Sequence, residues 1–154
     1  MVIYYRVIQF IYLDFGNGRT KLKQITNLMI DEFNIRKLGF DFMAYSLQKG
    51  DIYTFHHLIV PARKGGAVAK WNGAVLCGKT SHEYLHRIEA INYDIFSHIT
   101  SEMIDINIKG YIDPQNLHYI DDALKYFEHH YCGLTTKKGK PLIKEQYTKR
   151  LKKY

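Results

Sequence analysis

The chain has 154 residues, of which 46% are apolar and 24% charged, a balance that suits one globular domain and excludes a disordered chain. The two cysteines, Cys77 and Cys132, are far apart, which argues against a disulfide framework and excludes a four-cysteine zinc site. The formal net charge of +7 favours an anionic partner, of which nucleic acid is the commonest for a soluble domain.

The first third of the chain predicts mainly helix. Residues 1–15 are apolar but interrupted by polar side chains, so they predict a buried strand or helix and neither a signal peptide nor a membrane span. After a Gly-Asn-Gly turn signal, Thr20 to Asn34 has the apolar periodicity of an amphipathic helix. A second, short helix is expected around Phe40 to Leu47, closed by Gly50.

The middle of the chain has a different composition and predicts two strands followed by helix. Ile52 to Pro61 is rich in β-branched and aromatic residues and predicts a strand, and Ala74 to Cys77 predicts a second, short one. Between them lies a basic, glycine-containing loop, Ala62 to Lys70. A helix is predicted from His82 to about Ile95 or further, with more helix through Ile104.

The C-terminal third predicts helices with a strongly basic end. Asp113-Pro114 begins a helix that Gly133 ends, and another helix is predicted from Pro141 to Lys152. The expected fold is therefore α+β in a single domain, 1–154. A helical N-terminal region (1–51) and a helical basic C-terminal region (111–154) would pack around the central part.

Histidines in the central part have the spacing of a metal site. His82 and His86 are four residues apart on the predicted helix, so both imidazoles lie on one face and can bind the same ion. His56, on the preceding strand, would be a third ligand, which leaves positions open for water and substrate. Its neighbour His57 points to the opposite face of the strand, and an imidazole of near-neutral pKa can take a proton from an attacking water.

Residues 56–86, HHLIVPARKGGAVAKWNGAVLCGKTSHEYLH, resemble the ββα-metal motif, or His-Me finger, of HNH endonucleases such as the nuclease colicins and phage HNH nucleases. The resemblance covers about residues 52–98, and Gly65-Gly66 matches the glycine pair of the family's loop. The interval from Asn72 to His82 is one residue longer than in the colicin pattern, and the zinc-binding CxxC pairs of many HNH proteins are absent.

The resemblance implies a role for each residue of the site. His57 would be the general base. Asn72 would orient both the loop and this base. The metal ligands would be His56, His82 and His86. The basic residues of the loop would contact the flanking nucleic-acid backbone, with plain solvated charge as the alternative for each of them: Arg63, Lys64 and Lys70.

The resemblance also implies an activity, a cofactor and a cellular setting. The reaction would be hydrolysis of phosphodiester bonds in single- or double-stranded DNA with one divalent cation. Mg²⁺ is the expected physiological ion, and a ligand set made only of imidazoles also accepts Mn²⁺, Ni²⁺ or Zn²⁺. The protein is expected to be cytoplasmic, encoded by a bacterium or a phage, and without a membrane partner.

Two other functions remain open at this point. Residues 82–86 read HExxH, the motif of zinc metallopeptidases, in which Glu83 would activate water. The longer HExxHxxGxxH form fails, because Glu89 and Asn92 stand where glycine and histidine are required. The peptidase hypothesis also leaves the His56-His57 pair unexplained. The second alternative is a non-catalytic nucleic-acid-binding domain whose histidines are structural.

Overall fold

The computed structural model describes residues 18–130, which form a mixed α and β structure. The elements, in chain order, are α1 (Gly18–Glu32), α2 (Ile35–Leu38), β1 (Tyr53–His57), β2 (Gly73–Cys77), α3 (Ser81–Ile91), α4 (Tyr93–Lys109) and α5 (Pro114–His130). Two 3₁₀ turns, Ala62–Lys64 and Lys70–Asn72, lie in the connection between the strands. The predictions made for residues 1–15, for the end of the last long helix at Gly133 and for a helix from Pro141 to Lys152 lie outside the described residues.

The two strands form an antiparallel pair that positions the histidines. Tyr53 lies opposite Cys77, His56 opposite Ala74, and His57 opposite Gly73. Every helix and both strands contribute buried side chains to one hydrophobic core, for example Met29, Ile35, Phe55, Leu76, Leu85, Met103 and Leu124. No helix in residues 18–130 is long and apolar enough to cross a membrane.

The helix predicted around Phe40 to Leu47 is wrong, because the buried carboxylate of Asp41 competes for the backbone. Its Oδ1 atom accepts the N–H groups of Met43 at 2.8 Å and Tyr45 at 2.9 Å. A short acidic side chain that binds nearby N–H groups offers the chain an alternative to the helical hydrogen-bond pattern. Between the two N–H donors, Ala44 adopts a left-handed conformation with φ 64°, so the segment forms a turn.

The second oxygen of the same carboxylate joins this turn to the strands and to α3. Asp41 Oδ2 accepts the backbone N–H of Cys77 at 2.8 Å and the hydroxyl of Ser81, the first residue of α3. Burial raises the pKa of Asp41, and the hydrogen bonds from these donors lower it in opposition. The segment before β1 thereby holds the end of β2 and the start of α3 together.

The other elements predicted within residues 18–130 occur with different ends, and the short helix α2 (Ile35–Leu38) was not predicted. The first strand stops at His57 and does not continue to Pro61. The helix expected from His82 to about Ile95 is two helices, because Asn92 has an extended backbone and its side chain caps α4 by accepting the N–H of Ile95 at 3.2 Å. The predicted helix start at Pro114 is confirmed.

Candidate metal centre

The strand pair and α3 bring His56, His82 and His86 together. One ring nitrogen from each residue lies within 4.8 Å of the other two, and the described residues hold one such group of potential ligands. His56 Nδ1 lies 3.3 Å from His82 Nε2. Two nitrogens bound tetrahedrally about 2.0–2.1 Å from one zinc ion are themselves about 3.3 Å apart. The spacing therefore fits a single cation.

The chemistry of the imidazoles also fits a cation. Burial, together with the nearby His82, His86 and His57, lowers the pKa of His56 well below its usual value. Burial likewise lowers the pKa of His82 to about 4. Both rings are therefore neutral at pH 7, which is the state that binds metal. His56 Nδ1 faces His82, whereas its Nε2 atom is buried without a hydrogen-bond partner among the described residues.

His57 lies outside this group but lines the same cleft. Its ring meets the edge of the Phe55 ring at a centroid distance of 4.9 Å. Burial lowers the pKa of His57, and a hydrogen bond to the backbone of Gly66 opposes that shift. Because this bond favours the protonated ring, the imidazole donates it and the Gly66 carbonyl accepts. The net shift is downward, so burial favours the neutral ring, which is the form that a proton acceptor requires.

Asn72 fixes the loop that carries Gly66. Its fully buried side chain accepts the N–H groups of Ile59 at 2.9 Å and Val60 at 2.8 Å. Its amide donates to the carbonyls of Val60 at 2.9 Å and Ala67 at 3.0 Å. Two accepted and two donated bonds fill the capacity of a carboxamide. The structure therefore gives Asn72 a loop-fixing position next to the residue that holds His57.

Gly66 lies where the loop backbone passes very close to the backbone of Val60. A Cβ atom added there would overlap the Val60 carbonyl group. The preceding Gly65 adopts φ +76°, a left-handed conformation that glycine adopts without steric cost. The two glycines are therefore required for different reasons, Gly66 for close backbone contact and Gly65 for its left-handed conformation.

The cleft measures about 430 Å³ and has chemically different walls. Arg63 and Lys64 are among the lining residues. Residues of α4 at helical spacing, Tyr93, Ser97 and Thr100, line it as well. Lys70 is not a lining residue, and its ammonium group pairs with the carboxylate of Glu32 at the end of α1. The structure therefore brings two of the three predicted nucleic-acid contacts to the histidines and leaves the third elsewhere.

Two residues that the sequence analysis did not assign to the site contact the Nδ1 atoms of His82 and His86. Thr54 Oγ1 lies 2.7 Å from His82 Nδ1, and Glu89 Oε1 lies 3.3 Å from His86 Nδ1. Partners of this kind commonly orient metal-binding histidines. The signal for them was spacing, since Thr54 is two residues before His56 on the same strand face and Glu89 is three residues after His86 on the helix.

No family model, curated protein or solved structure matches the chain. The chemistry that the site can perform therefore follows from its own residues. Three imidazoles can hold one divalent cation and leave coordination positions for water and substrate. A fourth imidazole stands in the same cleft with two cationic side chains, Arg63 and Lys64. This combination suits hydrolysis of an anionic substrate.

Proposed function

We propose that the protein is a metal-dependent endonuclease of the HNH type that hydrolyses DNA phosphodiester bonds. In this proposal β1, β2 and α3 form a ββα-metal core around the three clustered histidines. The observation that carries the proposal is that two adjacent histidines occupy different positions. His56 joins the potential ligand group, whereas His57 faces the same cleft outside it.

His57 would act as the general base. The Gly66 carbonyl occupies one ring nitrogen, so the other nitrogen is the one that takes a proton from the attacking water. Arg63 and Lys64 would bind the phosphates next to the scissile bond and hold the strand against the cleft. When bound, a divalent cation supplies positive charge that stabilises the phosphate and the leaving 3′ oxygen.

With these proposed ligands, the ion that binds most tightly need not be the ion that supports the reaction in the cell. Imidazole nitrogens bind Ni²⁺ and Zn²⁺ more tightly than Mg²⁺, which prefers oxygen ligands. Mg²⁺ remains the expected physiological ion because of its abundance, and the tightest-binding ion need not give the fastest reaction. A test of the activity therefore has to compare several metals.

The peptidase hypothesis has less support. It requires Glu83 beside the ion, but the cleft is lined by Glu89, three residues after His86, and Glu83 is not among the lining residues. A non-catalytic binding domain would need neither His57 held by Gly66 nor a cluster of three imidazoles next to it. Both observations favour the nuclease.

Cleavage of supercoiled plasmid DNA tests the proposal. Wild-type protein, His86→Ala and Glu83→Ala are each compared with Mg²⁺, Mn²⁺, Ni²⁺ or Zn²⁺ and with EDTA. We expect wild type and Glu83→Ala to cut with at least one metal, and neither to cut with EDTA. His86→Ala is expected to cut poorly because it lacks a ligand. Absence of cleavage with every metal, combined with casein hydrolysis that Glu83→Ala abolishes, would establish the peptidase instead.

A further inference from the structure

Thr54 connects His82 to the backbone of the neighbouring strand. Its Oγ1 atom lies 2.7 Å from His82 Nδ1 and 2.9 Å from the carbonyl oxygen of Leu76. Leu76 lies directly opposite Thr54 in the strand pair, so the register of β1 and β2 sets this contact. The histidine on the helix is thereby tied to both strands through one hydroxyl group.

The number of protons in this chain of contacts assigns the donor at each step. A threonine hydroxyl has one hydrogen, and the Leu76 carbonyl has none, so the hydroxyl donates to Leu76. The remaining contact of Oγ1 must then be accepted from the His82 ring, whose Nδ1 atom carries the hydrogen. A neutral imidazole has one N–H group, so Nε2 keeps its lone pair. That atom is the one that faces His56 Nδ1 at 3.3 Å.

We propose that Thr54 is a positioning residue that holds His82 in the Nδ1–H tautomer, so that Nε2 is the metal-binding atom. The inference rests on the metal-binding part of the proposed function and not on DNA cleavage. Without an acceptor for Nδ1–H, either ring nitrogen can carry the proton and the ring can turn about its side-chain bonds. Loss of such an outer partner typically weakens metal binding 10–100-fold.

The first measurement is the tautomer of His82 in metal-free wild-type protein at pH 7.5, by long-range ¹H–¹⁵N correlation NMR. We expect Nδ1 to give the signal of a protonated nitrogen and Nε2 that of an unprotonated one. The opposite assignment would overturn the proposal, and this test needs no variant at the threonine.

The second measurement is the affinity for Ni²⁺ by calorimetry. Thr54→Val keeps the size and branching of the side chain but removes the hydroxyl, and we expect binding weaker by about 10–100-fold. Thr54→Ser restores the hydroxyl and should bind within a few-fold of wild type. Thr26→Val, which removes a buried hydroxyl that bonds Leu22 on α1, should leave affinity unchanged. Wild-type affinity in Thr54→Val would overturn the proposal.

These readouts separate the inference from the nuclease proposal. If His82 shows the Nδ1–H tautomer and Thr54→Val loses affinity while no metal supports DNA cleavage, the positioning role stands and the nuclease proposal fails. If DNA is cleaved but Thr54→Val binds and cuts like wild type, the nuclease proposal stands and Thr54 has no positioning role.

Discussion

His56 Nδ1 lies 3.3 Å from His82 Nε2, although the first residue is on a strand and the second on a helix. The contact depends on the register of the strand pair, in which His56 faces Ala74, and on the short connection from Cys77 to Ser81. A slip of one residue would turn every side chain of β1 to the other face and replace His56 with His57. Strand pairing therefore decides which of the two residues is the proposed strand ligand and which the proposed base.

We predict that Asn72→Asp destabilises the protein by roughly 3 kcal/mol or more, because a carboxylate oxygen would face the carbonyls of Val60 and Ala67 that the amide now binds. Movement of the loop would also free His57 and lower the cleavage rate. Urea unfolding measures the first effect. Asn27→Asp, at an exposed position on α1, is the control and should change stability by no more than about 0.5 kcal/mol. Equal stability of the two variants would contradict the loop-fixing role.

Asp41→Asn is predicted to cost roughly 2–4 kcal/mol of stability. An asparagine that keeps its oxygen toward Met43 and Tyr45 turns its NH₂ group toward the N–H of Cys77, so two donors meet in a buried site. Thermal or urea unfolding checks this, with Asp122→Asn on the exposed side of α5 as the matched control. A destabilisation no larger than that of the control would show that the carboxylate does not hold these segments together.

The stability of the metal-free protein should fall on acidification from pH 6.5 toward about 4. Burial lowers the pKa of His82 to about 4, so in this range the unfolded chain binds a proton at His82 that the folded protein does not. The free energy of unfolding therefore rises with pH in this window, and above it the contribution is constant. At pH 5 the loss from His82 alone is about 2 kcal/mol.

Urea unfolding of wild type and His82→Gln at pH 7.5 and 5 checks this prediction, with EDTA present in both. The variant should lose less stability than wild type between the two pH values, since glutamine does not titrate. An identical loss in both proteins would show that His82 does not carry the effect.

Arg63 and Lys64 should contribute to the salt dependence of DNA binding. In EDTA, which prevents cutting, the slope of log affinity against log salt concentration is expected to fall by about 1 for each phosphate contact removed. The double variant Arg63→Ala/Lys64→Ala should therefore lose about 2 from the slope. Lys70→Ala is the comparison, because Lys70 pairs with Glu32 and does not line the cleft. An equal change in slope for Lys70→Ala would contradict the assignment of Arg63 and Lys64, rather than Lys70, to the DNA-binding cleft.

The long helices were largely predictable because their apolar spacing is regular, and the first strand because it is rich in β-branched and aromatic residues. The segment around Asp41 was not, since its conformation depends on a carboxylate that binds Cys77 and Ser81, about 36 to 40 residues away. The break at Asn92 was missed for a different reason. Apolar residues continue on both sides of it, and the polar side chain that caps the new helix differs little from one on a helix surface.

The histidine cluster could be predicted because His82 and His86 are four residues apart on one helix and His56 lies on a strand close by in the sequence. The partners Thr54 and Glu89 were missed because a threonine on a strand and a glutamate on a helix are common everywhere. Lys70 was predicted as a nucleic-acid contact from its place in the loop, and its pairing with Glu32 depends on how α1 packs against that loop. Long-range packing thus decides which charged side chains reach the cleft.

The most direct test of the central claim is the single-turnover rate of DNA cleavage by His57→Ala loaded with one equivalent of metal. The claim is that His57 is the base and not a ligand. The variant should therefore bind the ion with wild-type affinity and cleave about 100-fold or more slowly. A metal-loaded His57→Ala that cleaves at the wild-type rate would contradict the assignment of His57 as the base, and one that no longer binds the ion would contradict its separation from the ligands.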